Sequence, residues 1–133
     1  MITPNRTWRV QTQGEVTAFC DSGMIKQTLR ILTENAVKYT QDGDSITLRA
    51  YVSKGLPAVE VQDNGIGIAK EDLPHIFDRF YRADPNRTRK TGGTGLGLAI
   101  VKHICEEHGA DLKLKSAEGI GTEITVTFPA FEL

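Results

Sequence analysis

Two stretches of the chain carry apolar residues at helical spacing. Ile25, Leu29, Leu32, Ala36 and Tyr39 recur at intervals of four, three, four and three, which aligns them on one face. Asp21, just ahead of them, is a good N-cap, so a helix is predicted over 21–39. Leu98, Val101, Ile104 and Cys105 share a face in a second predicted helix over 96–108, and Gly109 is its stop. Elsewhere the period is two. Strands are predicted at 7–12, 15–20, 45–54, 58–63, 111–116 and 122–128, separated by turn signals such as Gln13-Gly14 and Glu118-Gly119-Ile120-Gly121. A short helical piece is expected at 70–77. These elements predict one α+β domain over 1–133: a two-layer sandwich of a mixed, mostly antiparallel sheet with helices on one face.

Composition narrows this picture. At 133 residues, 39% hydrophobic and 25% charged, the chain suits one ordinary hydrophobic core. A formal net charge of −1 excludes a dedicated nucleic-acid binder, so any anion site has to be local. Cys20 and Cys105 match no metal-ligand spacing and sit in apolar stretches, where small buried thiols are expected. Neither a signal peptide nor an apolar run of membrane-spanning length is visible, so no direct membrane contact and a cytoplasmic setting are the expectations, with anchoring of a parent protein left open.

Three segments carry candidate chemistry. In Val59-Glu60-Val61-Gln62-Asp63-Asn64-Gly65-Ile66-Gly67, alternation turns Asp63 toward the core with Val59 and Val61. A carboxylate there needs donors, and an exocyclic amine in a pocket would supply them; an Asx-turn closing the strand is the commoner use of a lone Asp-x-Gly. Gly92-Gly93-Thr94-Gly95-Leu96-Gly97-Leu98 opens the second helix, where bare backbone N–H groups can hold an anion or merely form a hinge. Arg79, Arg82, Arg87, Arg89 and Lys90 crowd the preceding loop, which favours a phosphate-facing lid. On the first helix Ile31, Asn35 and Lys38 share a face; Asn35 is either solvated or an amide-oxygen ligand for a hard divalent cation.

Taken together these stretches resemble the catalytic ATPase domain of sensor histidine kinases, in the superfamily that includes gyrase, the mismatch-repair ATPase and a heat-shock chaperone. Glu34-Asn35-Ala36-Val37-Lys38-Tyr39-Thr40 resembles its N box, and Asp63-Asn64-Gly65-Ile66-Gly67-Ile68 its first glycine box. Ile76-Phe77-Asp78-Arg79-Phe80-Tyr81-Arg82 resembles the F box, Gly93-Thr94-Gly95-Leu96-Gly97-Leu98 the second glycine box, and Gly119-Ile120-Gly121-Thr122 the last.

The resemblance implies a Bergerat-type ATP-binding fold with ATP and magnesium as cofactors. It implies that Asp63 accepts from the adenine amino group, with Thr122 nearby, Tyr39 packed against the base, and Gly65, Gly67 and Ile68 in the loop around it. Asn35 would hold magnesium. Lys38, Arg82, Thr94 and the N–H groups from Gly95 through Leu96 and Gly97 to Leu98 would clamp the triphosphate, under a mobile lid over about 70–95. Phe77 and Phe80 would anchor that lid and face a partner domain.

Two departures sharpen the expectation. Ile31 stands where the superfamily's hydrolases carry a general-base Glu, and an isoleucine takes no proton from water. Glu34 is rotated about 100° round the helix and is a poor substitute. None of His75, His103 and His108 has an acidic residue next to it and a proline beyond, as a phosphoacceptor histidine does; His108 suits a helix C-terminus instead. The expected activity is therefore transfer of the ATP γ-phosphate to a histidine on a separate dimerisation helical domain, and thence indirectly to a response regulator. An anti-sigma-factor type serine kinase and a non-catalytic nucleotide-sensing module are the alternatives.

Overall fold

The computed structural model describes residues 5–18, 20–81 and 96–130. The long helix forms as the apolar spacing requires: α1 spans Ser22–Lys38, and the Asp21 side chain accepts from the Met24 N–H at 3.0 Å. The second, α2, spans Gly97–Glu107 and ends in a Schellman motif. There the Gly109 N–H donates to Glu106 and the Ala110 N–H to Cys105, with Gly109 at φ +63°.

Strands β1 (Thr7–Thr12), β2 (Ser45–Ser53), β3 (Leu56–Asp63), β4 (Asp111–Ala117) and β5 (Gly121–Thr127) form one sheet in the order β1-β2-β3-β5-β4. β1 runs parallel to β2 and every other pairing is antiparallel. The register stacks apolar residues in rows across the strands. Leu48, Val61, Ile124 and Leu114 make one row, with Val10 exposed at its β1 edge, and Ala50, Val59, Val126 and Leu112 the next. Both helices pack on that face: Leu32 and Ala36 of α1 and Val101 and Cys105 of α2 join Ile46, Val61, Ile124 and Val126 in the core. The expected two-layer α+β sandwich with a mixed sheet is the observed fold.

Two expectations need correction. Residues 15–18 form no strand. A strand over 15–20 was expected after the Gln13-Gly14 turn, but β1 pairs in parallel with β2, and parallel pairing needs a crossover. The chain after β1 is the start of that crossover, leading into α1. The helical piece expected at 70–77 shrinks to one 3₁₀ turn, Leu73–His75, with Pro74 in its first turn.

The cysteines are buried or half-buried thiols, and burial pushes Cys105 up to about 11. Of the expected site residues, Arg82, Thr94 and Gly95 lie outside the described residues, as does most of the expected lid.

Candidate functional site

Below the two apolar rows, at the end of the sheet, the same face turns polar. The register places Ile46, Asp63, Thr122 and Ser116 side by side on β2, β3, β5 and β4. Asp63 is 6% exposed, as its alternation with Val59 and Val61 requires. Its Oδ1 accepts from the Gly65 N–H at 2.9 Å. Burial raises its pKa to about 6; the Gly65 and Thr122 N–H groups pull it down, and Asp44 adds to the rise. With these two N–H groups as partners, a carboxylate keeps further lone pairs for a donor brought by a ligand.

The loop after Asp63 is built on glycines because backbone crosses backbone there. Ile66 donates to the Tyr39 carbonyl at 3.0 Å, and a Cβ on Gly65 would lie 2.0 Å from that oxygen. Gly67, at φ +74°, sits under the Ala117 carbonyl, which a Cβ would meet at 2.1 Å. Gly121, at φ +145°, has the same relation to the Asp63 carbonyl at 2.1 Å. The loop is thus pinned between the end of α1 and the β4–β5 turn, where Gly119 donates to Ile66 at 2.8 Å.

The helices meet beside this loop. A Cβ on Gly97 would lie 3.0 Å from Ile31 Cγ2, so the start of α2 rests on α1 one turn before Asn35. Among the described residues no side chain caps α2, and its first turn holds no acidic residue, which suits its opening N–H groups to an anion. Asn35 and Lys38 are half-buried on the adjoining end of α1. The Asp63 loop and the start of α2 both adjoin α1, the first at Tyr39 and the second at Ile31: an acceptor for an amine, backbone N–H groups for phosphates and an amide-bearing helix face are chemistry that suits a purine nucleotide.

Residues 20–132 match the family described as histidine kinase-, DNA gyrase B- and HSP90-like ATPase. The chain belongs to this family. Within it, sensor histidine kinases are close relatives. YkoH of Bacillus subtilis is 52% identical over 81% of this chain and 23% of its own length. WalK of the same organism is 48% identical over 82% of this chain and 18% of its own. The chain therefore spans about a fifth of these relatives. Among solved structures, a mycobacterial sensor histidine kinase, MprB, superposes with TM-score 0.79 at 26% identity, covering 94% of this chain and 84% of that one. Full-length ShkA in complex with AMPPNP gives 0.75 at 29% identity, covering 94% and 25%. The chain is an ATP-binding catalytic domain of the sensor histidine kinase kind.

Within the family's boxes, the structure brings together Asp63, Gly65, Gly67, Ile68 and Thr122, and it sets Gly97 and Leu98 beside the helix that bears Asn35 and Lys38. Leu96 is the half-buried residue before α2. Tyr39 reaches the loop through its carbonyl, while its side chain is buried. The two phenylalanines part ways: Phe77 packs against the core, whereas Phe80 is 67% exposed at φ +64°.

Ser116 was missed by sequence reasoning. Its Oγ accepts from the Ile68 N–H at 2.8 Å and lies 2.8 Å from Thr122 Oγ1. Its signal was present, since a serine in step with Leu112 and Leu114 faces the core just as Asp63 does.

A broad concavity of about 670 Å³ opens along this end of the sheet, lined by Thr47, Arg49, Gln62 and Glu123 of the other face together with Asp63 and Thr122. Of the expected site residues it reaches Asp63 and Thr122, and it is lined by none of the helix N-terminus or N-box groups. Glu60 on that face is 3% exposed; burial first, then Glu123, raises its pKa, and Arg49 at 3.4 Å opposes this.

Proposed function

We propose that this chain binds Mg–ATP in the cleft between α1, the Asp63 loop, the start of α2 and the β4–β5 turn, and presents the γ-phosphate to a histidine of a separate dimerisation helical domain, from which a response regulator is served. What supports this reading is buried Asp63, whose loop is pinned to the end of α1 at Tyr39, together with the start of α2, held against the same helix through Gly97 and Ile31. Asp63 accepts from the adenine amine beside Thr122, and the N–H groups of Gly97 and Leu98, with Lys38, hold phosphates. Arg82, Thr94 and Gly95 are assigned to the phosphates by their places in the motifs.

No group of three or more His, Cys, Asp or Glu that could hold a metal occurs among the described residues. That suits magnesium bound chiefly through nucleotide phosphates, with the Asn35 amide oxygen as the protein's ligand. When bound, the ion neutralises charge on the phosphates. Phosphoryl transfer otherwise asks for positioning, so no nucleophile of this chain is required.

The chain's own histidines are poor acceptors. His75 pairs with Asp78 at 3.2 Å and His103 with Glu107 at 3.6 Å, both without the acceptor sequence, and both ring nitrogens of His108 are engaged. No helix among the described residues is long and apolar enough to cross a membrane, and we place the domain's work in the cytoplasm, where ATP is.

The test combines this chain with dimerisation hairpins from related kinases and γ-labelled ATP. Acid-labile, base-stable label on the hairpin histidine is expected. Acid-stable label on a serine, or no transfer to any hairpin despite ATP binding, would overturn the reading.

A further inference from the structure

The hydrogens available around Ser116 constrain its neighbour. The Ser116 hydroxyl lies 2.8 Å from the Ile68 nitrogen, 3.0 Å from the Gly121 carbonyl oxygen and 2.8 Å from Thr122 Oγ1. A serine hydroxyl has one hydrogen and two lone pairs. The Ile68 N–H can only donate, and the Gly121 carbonyl can only accept. Satisfying all three contacts therefore sends the serine hydrogen to Gly121 and makes Thr122 the donor in the third bond. Thr122 is 3% exposed, too deep for bulk solvent to redirect its hydrogen. Its hydroxyl then offers only lone pairs to anything else it meets.

Thr122 is the cross-strand partner of Asp63 on the face that meets the helices. We propose that Ser116 is a positioning residue for base specificity: by drawing the Thr122 hydrogen to itself, it sets two acceptors side by side, the Asp63 carboxylate and the Thr122 oxygen. This rests on the reading above that Asp63 meets the base. Two neighbouring acceptors match a 6-amino purine, which carries two N–H hydrogens. The oxygen of a 6-oxo purine finds only lone pairs there, and such a base has one hydrogen to offer, on N1, in place of the two on the amine. Ser116 touches no part of the nucleotide; it acts through Thr122. The same hydroxyl ties the Ile66-Gly67-Ile68 stretch to the β4–β5 turn, so one side chain sets both the pocket's wall and its polarity.

The test uses calorimetric titration of the unmodified chain and its variants with ATP and with inosine triphosphate, which has an oxygen in place of the 6-amine and a hydrogen on N1. ATP is expected to be favoured by the unmodified chain. Ser116→Ala frees the Thr122 hydroxyl to turn and donate, so the ATP preference should fall by about five- to tenfold, near the worth of one hydrogen bond. Ser116→Thr, which keeps a hydroxyl, should retain the preference. In a Thr122→Val background, Ser116→Ala should not alter it further. Equal weakening of both nucleotides by Ser116→Ala would show a purely structural tie and overturn the proposal. Thr122→Val decides the matter even if Ser116→Ala does not fold. A smaller ATP preference is expected for a lost acceptor, and a larger one would mean that Thr122 donates. Failure of the underlying pocket reading looks different: the unmodified chain would not discriminate, or Asp63→Ala would leave ATP binding unchanged.

Discussion

Asp63 is stabilising or costly according to its proton. Its folded pKa of about 6 lies above the ordinary 3.8, so the folded domain holds the proton longer than the unfolded chain. The site's contribution is fully present below the unfolded value and is lost as pH rises through about 6, by on the order of 2–3 kcal/mol. Asp63→Asn should therefore be more stable than the parent above that pH in the absence of nucleotide, with the difference fading toward about pH 4. Denaturation across this range checks it, and a variant less stable at neutral pH would contradict it. ATP affinity should show the opposite sense. The ionised form accepts from the amine, so binding should weaken as pH falls through about 6. Glycines supply a second contrast at this scale. A Cβ added to Gly119, at φ +78°, would have nothing within 4 Å, whereas one on Gly121 would meet the Asp63 carbonyl at 2.1 Å. Gly119→Ala should cost about 1–2 kcal/mol of backbone strain, and Gly121→Ala distinctly more, with loss of nucleotide binding. Equal costs in thermal unfolding would mean that the turn relaxes freely.

The two helices are joined at both ends. At one end Ile31 and Gly97 touch, and at the other His108 bridges them. Its Nε2 accepts from the Asp21 N–H at 3.0 Å, which leaves Nδ1 as the donor to the Ile104 carbonyl at 2.9 Å. The ring is therefore neutral with its hydrogen on Nδ1. The sequence suggested a helix C-terminal residue in contact with the dipole, and that holds for the Ile104 bond. The Asp21 bond was not foreseeable, because 87 positions separate the two residues. His108→Ala should cost about 1 kcal/mol and increase hydrogen exchange at the start of α1, since an exposed N–H loses its partner to water. Unchanged exchange there would remove the bridge from the account.

For the molecule as a whole, the proposed function is one of binding and holding. Ile31 packs against the core and Gly97, so the position that carries the general base in the superfamily's hydrolases is used here for helix contact. The isolated chain should bind ATP yet hydrolyse it very slowly. Vigorous turnover by the unmodified chain would favour an autonomous ATPase. Asn35→Ala should reduce the tightening of ATP by magnesium while leaving adenosine binding unchanged. Titrations with and without the ion test this, and undiminished magnesium dependence would reassign the metal ligand.

Local physics wrote much of this protein into its sequence. Helix faces, the Asp21 cap, the Gly109 stop and the core-facing carboxylate of Asp63 all follow from short-range periodicity and steric rules, so they were legible. The order of the glycine boxes, too, is a linear property. Pairing across the sheet is not. That β1 joins β2 in parallel, leaving 15–18 without a strand partner, depends on which distant edge is available. Likewise, Ser116 is a serine in an alternating strand until the β4–β5 register sets it beside Thr122 and the β3 loop brings the Ile68 N–H to it. The sequence by itself determined most of the elements and the chemistry they carry. Only the tertiary structure decided which groups meet, because hydrogen bonds between residues tens of positions apart are chosen by how the whole sheet and both helices pack.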